Sequence, residues 1–214
     1  MSELLKADAV SVWRGELLLL NNISFTLNAG QVLRVHGANG SGKTTLLRVV
    51  CGLGYADEGE VSWRGQPMQQ ARSQFNQELL YLGHKAGIKG SLTPVENLSL
   101  FAALGTHASQ SGKSTERPNT IEQVLDELAL QATHHIPCRH LSAGQQRRVA
   151  LARLVLQSAT LWVLDEPLTS LDAHGLDWVT AQIDSHVRGG GAVLLTTHAD
   201  LQLSSVEVAT LALS

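Results

Sequence analysis

Eight consecutive residues, Gly37-Ala38-Asn39-Gly40-Ser41-Gly42-Lys43-Thr44, constrain this chain more than any other stretch. They satisfy G-x-x-x-x-G-K-[ST] at every fixed position. In front of them Val32, Leu33 and Val35 form a short apolar run bounded by turn residues, the pattern of a buried strand. Behind them residues 45–50 have the spacing of a helix that buries one side, with Gly52 placed to end it. Glycines let such a loop curl with its N–H groups turned inward, and the following helix adds its N-terminal donors, so the whole forms an anion cradle. Lys43 is placed to meet β- and γ-phosphates, and the Thr44 hydroxyl to ligate Mg²⁺. Residues 37–45, closing with Thr45, are therefore expected to bind a nucleoside triphosphate, ATP in the first instance, with Mg²⁺.

Bulk properties narrow the partners. A chain of 214 residues can bury one good core and a satellite subdomain. Its net charge of −3 offers no basic excess, which argues against a nucleic-acid partner. The two cysteines, Cys51 and Cys138, are far apart and imply no disulfide framework; Cys51 reads as a small buried hydrophobe in a reducing compartment. The first ten residues lack the apolar core and cleavage site of a signal peptide. The run Leu17-Leu18-Leu19-Leu20 falls far short of the roughly 20 apolar residues that span a bilayer. No internal repeat stands out.

Taken in order, residues 7–12, 17–20 and 23–27 read as strands separated by turns. Trp13 is a candidate to stack on an adenine, Arg14 an alternative through its guanidinium plane, and strand packing accounts for Trp13 nearly as well. Residues 60–65 read as a strand entering a turn, 66–76 as partly helical, and 79–83 as a further strand leading to His84. Residues 92–104 form a helix with Thr93 as N-cap, Pro94 at its first position and Glu96 closing a capping box; Leu98, Phe101 and Leu104 share a face. Residues 105–120 are a polar loop, within which Ser111-Gly112-Lys113-Ser114-Thr115 imitates the end of a phosphate loop but lacks the preceding strand and glycine. Helices follow over 121–130, 142–157 and 177–187, buried strands over 161–164 and 192–197, and an edge strand over 206–213.

The strand at 161–164 ends in Asp165-Glu166. That edge is where ligands bind in open α/β sheets, so Asp165 is expected to hold Mg²⁺ with Thr44. Glu166 points elsewhere and is expected to orient or deprotonate the attacking water. A third motif, Leu141-Ser142-Ala143-Gly144-Gln145-Gln146-Arg147-Arg148, is locally a serine-capped helix start whose small residues permit close backbone approach. The dense cluster His134-His135-Ile136-Pro137-Cys138-Arg139-His140 lacks C-x-x-C-H and reads as a polar linker rather than a haem ligand set.

In combination these motifs resemble the ATP-binding-cassette (ABC) ATPases, and the resemblance runs through Ser170-Leu171-Asp172 and His198 over essentially the whole chain. It implies an α/β fold: a RecA-like P-loop NTPase core with an antiparallel β subdomain (residues 1–85 and 155–214) and a helical subdomain bearing the signature motif (residues 86–154). It also implies a head-to-tail homodimer. Ser142, Ala143, Gly144 and Gln145 of one copy would meet the nucleotide of the other, Asp172 would line the seam, and His198 would contact the γ-phosphate and position Glu166. The family usually has glutamine where this chain has His84, a poor direct Mg²⁺ ligand.

The segments YLGHKAGIKGSLTPVENL and LSAGQQRRVALARL further resemble the ATP-binding subunits of the haem exporters of cytochrome c maturation. That likeness implies a peripheral subunit on the cytoplasmic face of the inner membrane, docked on integral membrane subunits. ATP hydrolysis there drives release of a haem-loaded chaperone. Alternatives are the ATPase subunit of another ABC transporter and a soluble nucleic-acid or ribosome factor. The second usually carries two fused cassettes or a basic surface. A phosphoryl-transfer kinase would leave the signature motif unexplained.

Overall fold

The computed structural model describes residues 2–104, 120–198 and 201–213. A five-stranded parallel sheet runs in the order β6 (Leu79–Leu82), β7 (Leu161–Asp165), β8 (Ala192–Thr196), β3 (Val32–His36), β9 (Val208–Ala212). Parallel strands are covered on both faces, which is why β7 and β8 are apolar without alternation. The two sides of β7 go to different layers. Leu161 and Val163 join the core beneath α1 (Lys43–Val50), whereas Trp162 and Leu164 pack with Val179, Ile183 and Val187 of α7 (Ala173–Arg188).

A second, antiparallel sheet is ordered β2 (Leu17–Asn28), β1 (Glu3–Arg14), β4 (Glu58–Trp63), β5 (Gln66–Pro67). Its apolar face shares the first core with Leu46, Leu47 and Val50 of α1, so the β subdomain is welded onto the back of the phosphate loop. The helix α2 (Met68–Glu78) buries Phe75 edge-on against Trp63, with ring centroids 5.3 Å apart. Trp63 and Phe75 are both fully buried, each contributing about 1.5–3 kcal/mol by area removed from water. The third core belongs to the helical layer. Leu98 of α3 (Pro94–Leu104), Val124 and Leu125 of α4 (Ile121–Glu127), and Val149 of α5 (Ala143–Leu151) surround buried Cys138.

Several expected elements are redrawn by the fold. The segments 17–20 and 23–27 are one strand, β2, because Asn22 takes a positive φ and the register shifts there without breaking the ladder. The helix at 121–130 stops at Glu127, and Ala129 turns the chain at φ 55° so that Leu128 and Leu130 both point inward. The helix at 142–157 is two pieces, α5 and α6 (Arg153–Leu156), meeting at Ala152. The helix at 177–187 begins at Ala173, since Asp172 supplies its cap. Leu104 is 69% exposed and does not share the buried face of Leu98. Residues 105–119, with the imitation phosphate loop at 111–115, lie outside the described residues.

Candidate nucleotide site

The C-terminal ends of β3, β7 and β8 bring three of the expected segments together. In the sheet register Val35 and Asp165 flank Thr196 from either side. The loop after β3, which carries the Gly37–Thr44 motif, lines the same edge through Asn39, Gly40, Gly42, Lys43 and Thr44. Gly40 and Gly42 sit at φ 87° and 92°, and a Cβ on Gly42 would lie 2.7 Å from Leu20, so both conformation and space demand glycine there. Helix α1 begins at Gly42 without a side-chain cap, which leaves its first N–H groups to the loop's concave side. Lys43 Nζ donates to the carbonyls of Gly37 (2.8 Å) and Ala38 (3.0 Å), using two of its three N–H groups. Ser41 Oγ is buried with no partner among the described residues. An orphaned hydroxyl in a loop of inward donors fits an anionic ligand.

Below the loop lies a connected set of oxygens. Thr44 Oγ1 donates to Asp165 Oδ2 at 2.9 Å, and Thr196 Oγ1 donates to Asp165 Oδ1 at 2.8 Å. The same Thr196 hydroxyl accepts from the Glu166 backbone N–H at 2.8 Å. Glu166 itself has φ 52°, a left-handed conformation costing about 1–3 kcal/mol in a residue with a Cβ. The turn it makes separates the two carboxylates: Asp165 faces Thr44, while Glu166 Oε1 stands 3.4 Å from His198 Nε2. A cleft of about 400 Å³ is lined by Lys43, Thr44, Thr45, His84, Asp165 and Glu166, among others. Hydroxyl and carboxylate oxygens suit a hard cation, and Mg²⁺ in such sites needs only one or two carboxylates beside phosphate and water. Among the described residues no cluster of three or more His, Cys, Asp or Glu forms a self-sufficient metal cage.

Other expected residues lie apart from the cleft. Trp13 is 38% exposed near the end of the β1–β2 hairpin, its backbone N–H bound to Asp57 Oδ2; the hairpin's contribution to the cleft lining is Leu19. Ser142 and Gln145 form a reciprocal capping box at the start of α5: Ser142 Oγ accepts from Gln145 N–H at 3.2 Å, and Gln145 Oε1 accepts from Ser142 N–H at 2.9 Å. Ser142 is exposed and Gln145 half-buried, and neither is among the residues that line the cleft. Gly144 presses on the segment after β7, where a Cβ would lie 2.9 Å from the Ser170 carbonyl. Asp172 caps α7 through Gly175 N–H and pairs with Arg148 of α5; these contacts, the backbone bond first, hold its carboxyl below the usual carboxylate range.

Two residues with no role assigned by the sequence motifs meet the Asp165-Glu166 turn. Thr196 bridges Asp165 to Glu166 and was visible only as a strand residue. Arg147 is buried and reaches from α5 into the core. Burial pushes its guanidinium downward from the ordinary arginine range, against the pull of the Asp165 and Glu166 carboxylates. Its place in the motif was plain, but a charged residue at a helix surface ordinarily faces water.

Comparison with known proteins places this geometry in context. The family model described as "ABC transporter" matches residues 20–169. The chain is 44% identical over 214 residues to the cytochrome c biogenesis ATP-binding export protein CcmA of Escherichia coli strain K12, covering 99% of this chain and 97% of that protein. It is 43% identical to the protein of the same name from Photobacterium profundum, over 92% of this chain and 94% of that one. Among solved structures, a dimeric post-hydrolysis state of the ATP-binding cassette MJ0796, bound to ADP and Pi, superposes with a TM-score of 0.76 at 23% identity, over 91% of this chain and 88% of that one. A putative ABC transporter ATP-binding protein from Pyrococcus furiosus gives a TM-score of 0.74 at 25% identity, over 98% and 96% of the two chains.

Proposed function

The chain belongs to the ABC transporter family and is an ABC-type ATPase, and from that premise we propose that it is the ATP-hydrolysing subunit of a cytochrome c maturation export complex. Near-full-length likeness to relatives named for that process supports the assignment. In this reading the subunit sits peripherally on the cytoplasmic face of the inner membrane, on integral membrane subunits, and its ATP cycle drives release of a haem-loaded chaperone. No helix among the described residues is long and apolar enough to cross a membrane.

The observation that carries the mechanism is the connected set Thr44–Asp165–Thr196–Glu166–His198 beneath the phosphate loop. The N–H groups of residues 37–45 and the Lys43 ammonium hold the triphosphate by charge-assisted hydrogen bonds. Thr44 and Asp165 are the residues that would hold Mg²⁺, which when bound would neutralise charge on the β- and γ-phosphates. Glu166 orients a water on the far side of the γ-phosphate and accepts its proton, a contribution of about 10²–10⁴-fold. His198, at 3.4 Å, fixes the Glu166 carboxylate, and in this reading it also contacts the γ-phosphate. The capped start of α5, with Ser142 and Gly144, completes the site of a facing copy, and Asp172 lies along the seam between the two. Its pairing with Arg148 ties that seam to the signature helix within one chain. Binding then closes the dimer and hydrolysis opens it.

Affinity purification of the full-length chain from detergent-solubilised membranes tests the reading. It predicts stoichiometric integral membrane subunits whose retention changes with ATP. Recovery with ribosomal RNA and no membrane protein would overturn it.

A further inference from the structure

We propose that Arg147 is a positioning residue for hydrolysis: its guanidinium locks the backbone of Glu166 and the end of β6 to the signature helix, so that the catalytic carboxylate is in place only while all three are joined. The proposal rests on the assignment of Glu166 as the base and adds the device that holds it.

The geometry is specific. Arg147 Nη2 donates to the carbonyls of Asp165 (2.8 Å) and Glu166 (2.7 Å), while Nη1 donates to the carbonyls of Gly83 (3.0 Å) and His84 (3.4 Å). One planar cation thus spans two strand ends from a helix of a different layer. Arg147 is 7% exposed, and its Nε is buried without a partner among the described residues. Leaving that donor unmet costs about 1–3 kcal/mol. Nothing about packing α5 requires it, since Val149, Ala150 and Leu151 already bury the helix. The orientation is one in which both Nη groups meet carbonyls and Nε is left over.

Two of those carbonyls flank a constrained stretch of backbone, Asp165-Glu166. Glu166 holds φ 52°, and such conformations persist only when the surroundings over-determine them. Thr196 fixes the Glu166 N–H from below, through both its hydroxyl (2.8 Å) and its carbonyl (3.2 Å). Arg147 fixes the Glu166 carbonyl from above. The peptide unit before the residue is therefore anchored by both layers, its N–H by β8 and its carbonyl by α5, and the unit after it by α5. On the other side of the guanidinium, Gly83 and His84 are where the chain leaves β6, and His84 lines the cleft. A lysine ammonium offers three donors from a single atom and cannot span both carbonyl pairs as a fork does.

The test compares Arg147→Lys and Arg147→Met with the parental full-length chain, reading steady-state kcat and KM for ATP, equilibrium affinity for trinitrophenyl-ATP, and thermal midpoint. Parental ATP turnover is the control for the ATPase assignment itself; its absence would count against that assignment, not against Arg147. With turnover present, both variants are expected to lose about 10- to 100-fold in kcat, the scale of a misplaced catalytic group, with KM and nucleotide affinity within about threefold of parent. Arg147→Lys keeps the charge and is expected to keep the fold, so it carries the test if Arg147→Met does not fold. Parental kcat in either folded variant would overturn the proposal. So would full rescue by lysine, which would reduce the role to charge, or a parallel loss of affinity and kcat, which would make the residue merely structural.

Discussion

Replacing Thr196 by valine removes a hydroxyl while keeping the shape of a fully buried side chain, and it sets two forces against each other. By apolar burial alone valine should be at least as stable as serine at this position, because it retains the methyl that serine lacks, about 0.8 kcal/mol per buried carbon. The hydrogen bonds say the opposite. Thr196 Oγ1 donates at 2.8 Å to an Asp165 carboxylate that is itself 1% exposed, and a bond to a buried charged group is worth about 1.5–3 kcal/mol. Its acceptance from Glu166 N–H adds less, about 0.5 kcal/mol, because that N–H also reaches the Thr196 carbonyl at 3.2 Å. Thr196→Val should therefore lose about 2–3 kcal/mol, or roughly 5–10 °C in Tm for a domain of this size, whereas Thr196→Ser should lose about 1 kcal/mol. Urea unfolding followed by circular dichroism gives the stabilities, and a coupled assay gives kcat. With Glu166 less firmly held, kcat of the valine variant should fall at least about tenfold while serine stays near parent. A valine variant as stable and as active as the serine variant would refute the reasoning.

Lys43→Ala should weaken ATP binding at least about 100-fold by deleting charge-assisted bonds to phosphate; near-parental affinity in equilibrium titration would contradict the placement of the triphosphate. Burial drives the Cys51 thiol far above the ordinary range and raises Cys138 despite its bond with Asn97, so neither should react with a thiol-specific disulfide reagent in the native protein, and both should react once it is denatured. Asp184 is held below the usual carboxylate range, first by the Ser205 hydroxyl and against burial, with further help from Ser205 N–H and Arg188. A depressed carboxyl stabilises the fold above its ordinary value near 3.9 and loses that contribution as pH falls through its lower folded value. Tm should therefore drop less steeply in Asp184→Asn than in the parent as pH falls below about 4; an unchanged slope would count against this pairing.

How far the sequence spoke depended on how local the physics was. The phosphate loop was legible because glycine, lysine and threonine at fixed spacing encode backbone curvature and charge within eight residues. The Ser142–Gln145 capping box and the position of Asp165 at a strand end were legible for the same reason. Thr196 was not, because its role comes from lying opposite Asp165 in a parallel register set by segments 31 residues apart. Arg147 was hidden further: only the folded packing of α5 against the strand ends reveals that a helix arginine turns inward to backbone carbonyls. Element ends slipped where one residue overrode propensity, as Asn22 did in keeping β2 continuous and Asp172 did in starting α7 early. The homodimer and the membrane subunits are carried by likeness to other proteins, since a single chain holds neither.

In the proposed cycle two copies close on ATP and part when it is hydrolysed. Glu166→Gln keeps the size of the side chain and its hydrogen-bonding reach while removing the proton acceptor. Light scattering coupled to size exclusion should show this variant as a monomer without nucleotide and as a dimer of twice the mass with MgATP, stable through the column, while the parental chain reverts to monomer as it hydrolyses. A Glu166→Gln variant that binds ATP, stays monomeric at every concentration and turns ATP over at the parental rate would contradict both the dimer and the base.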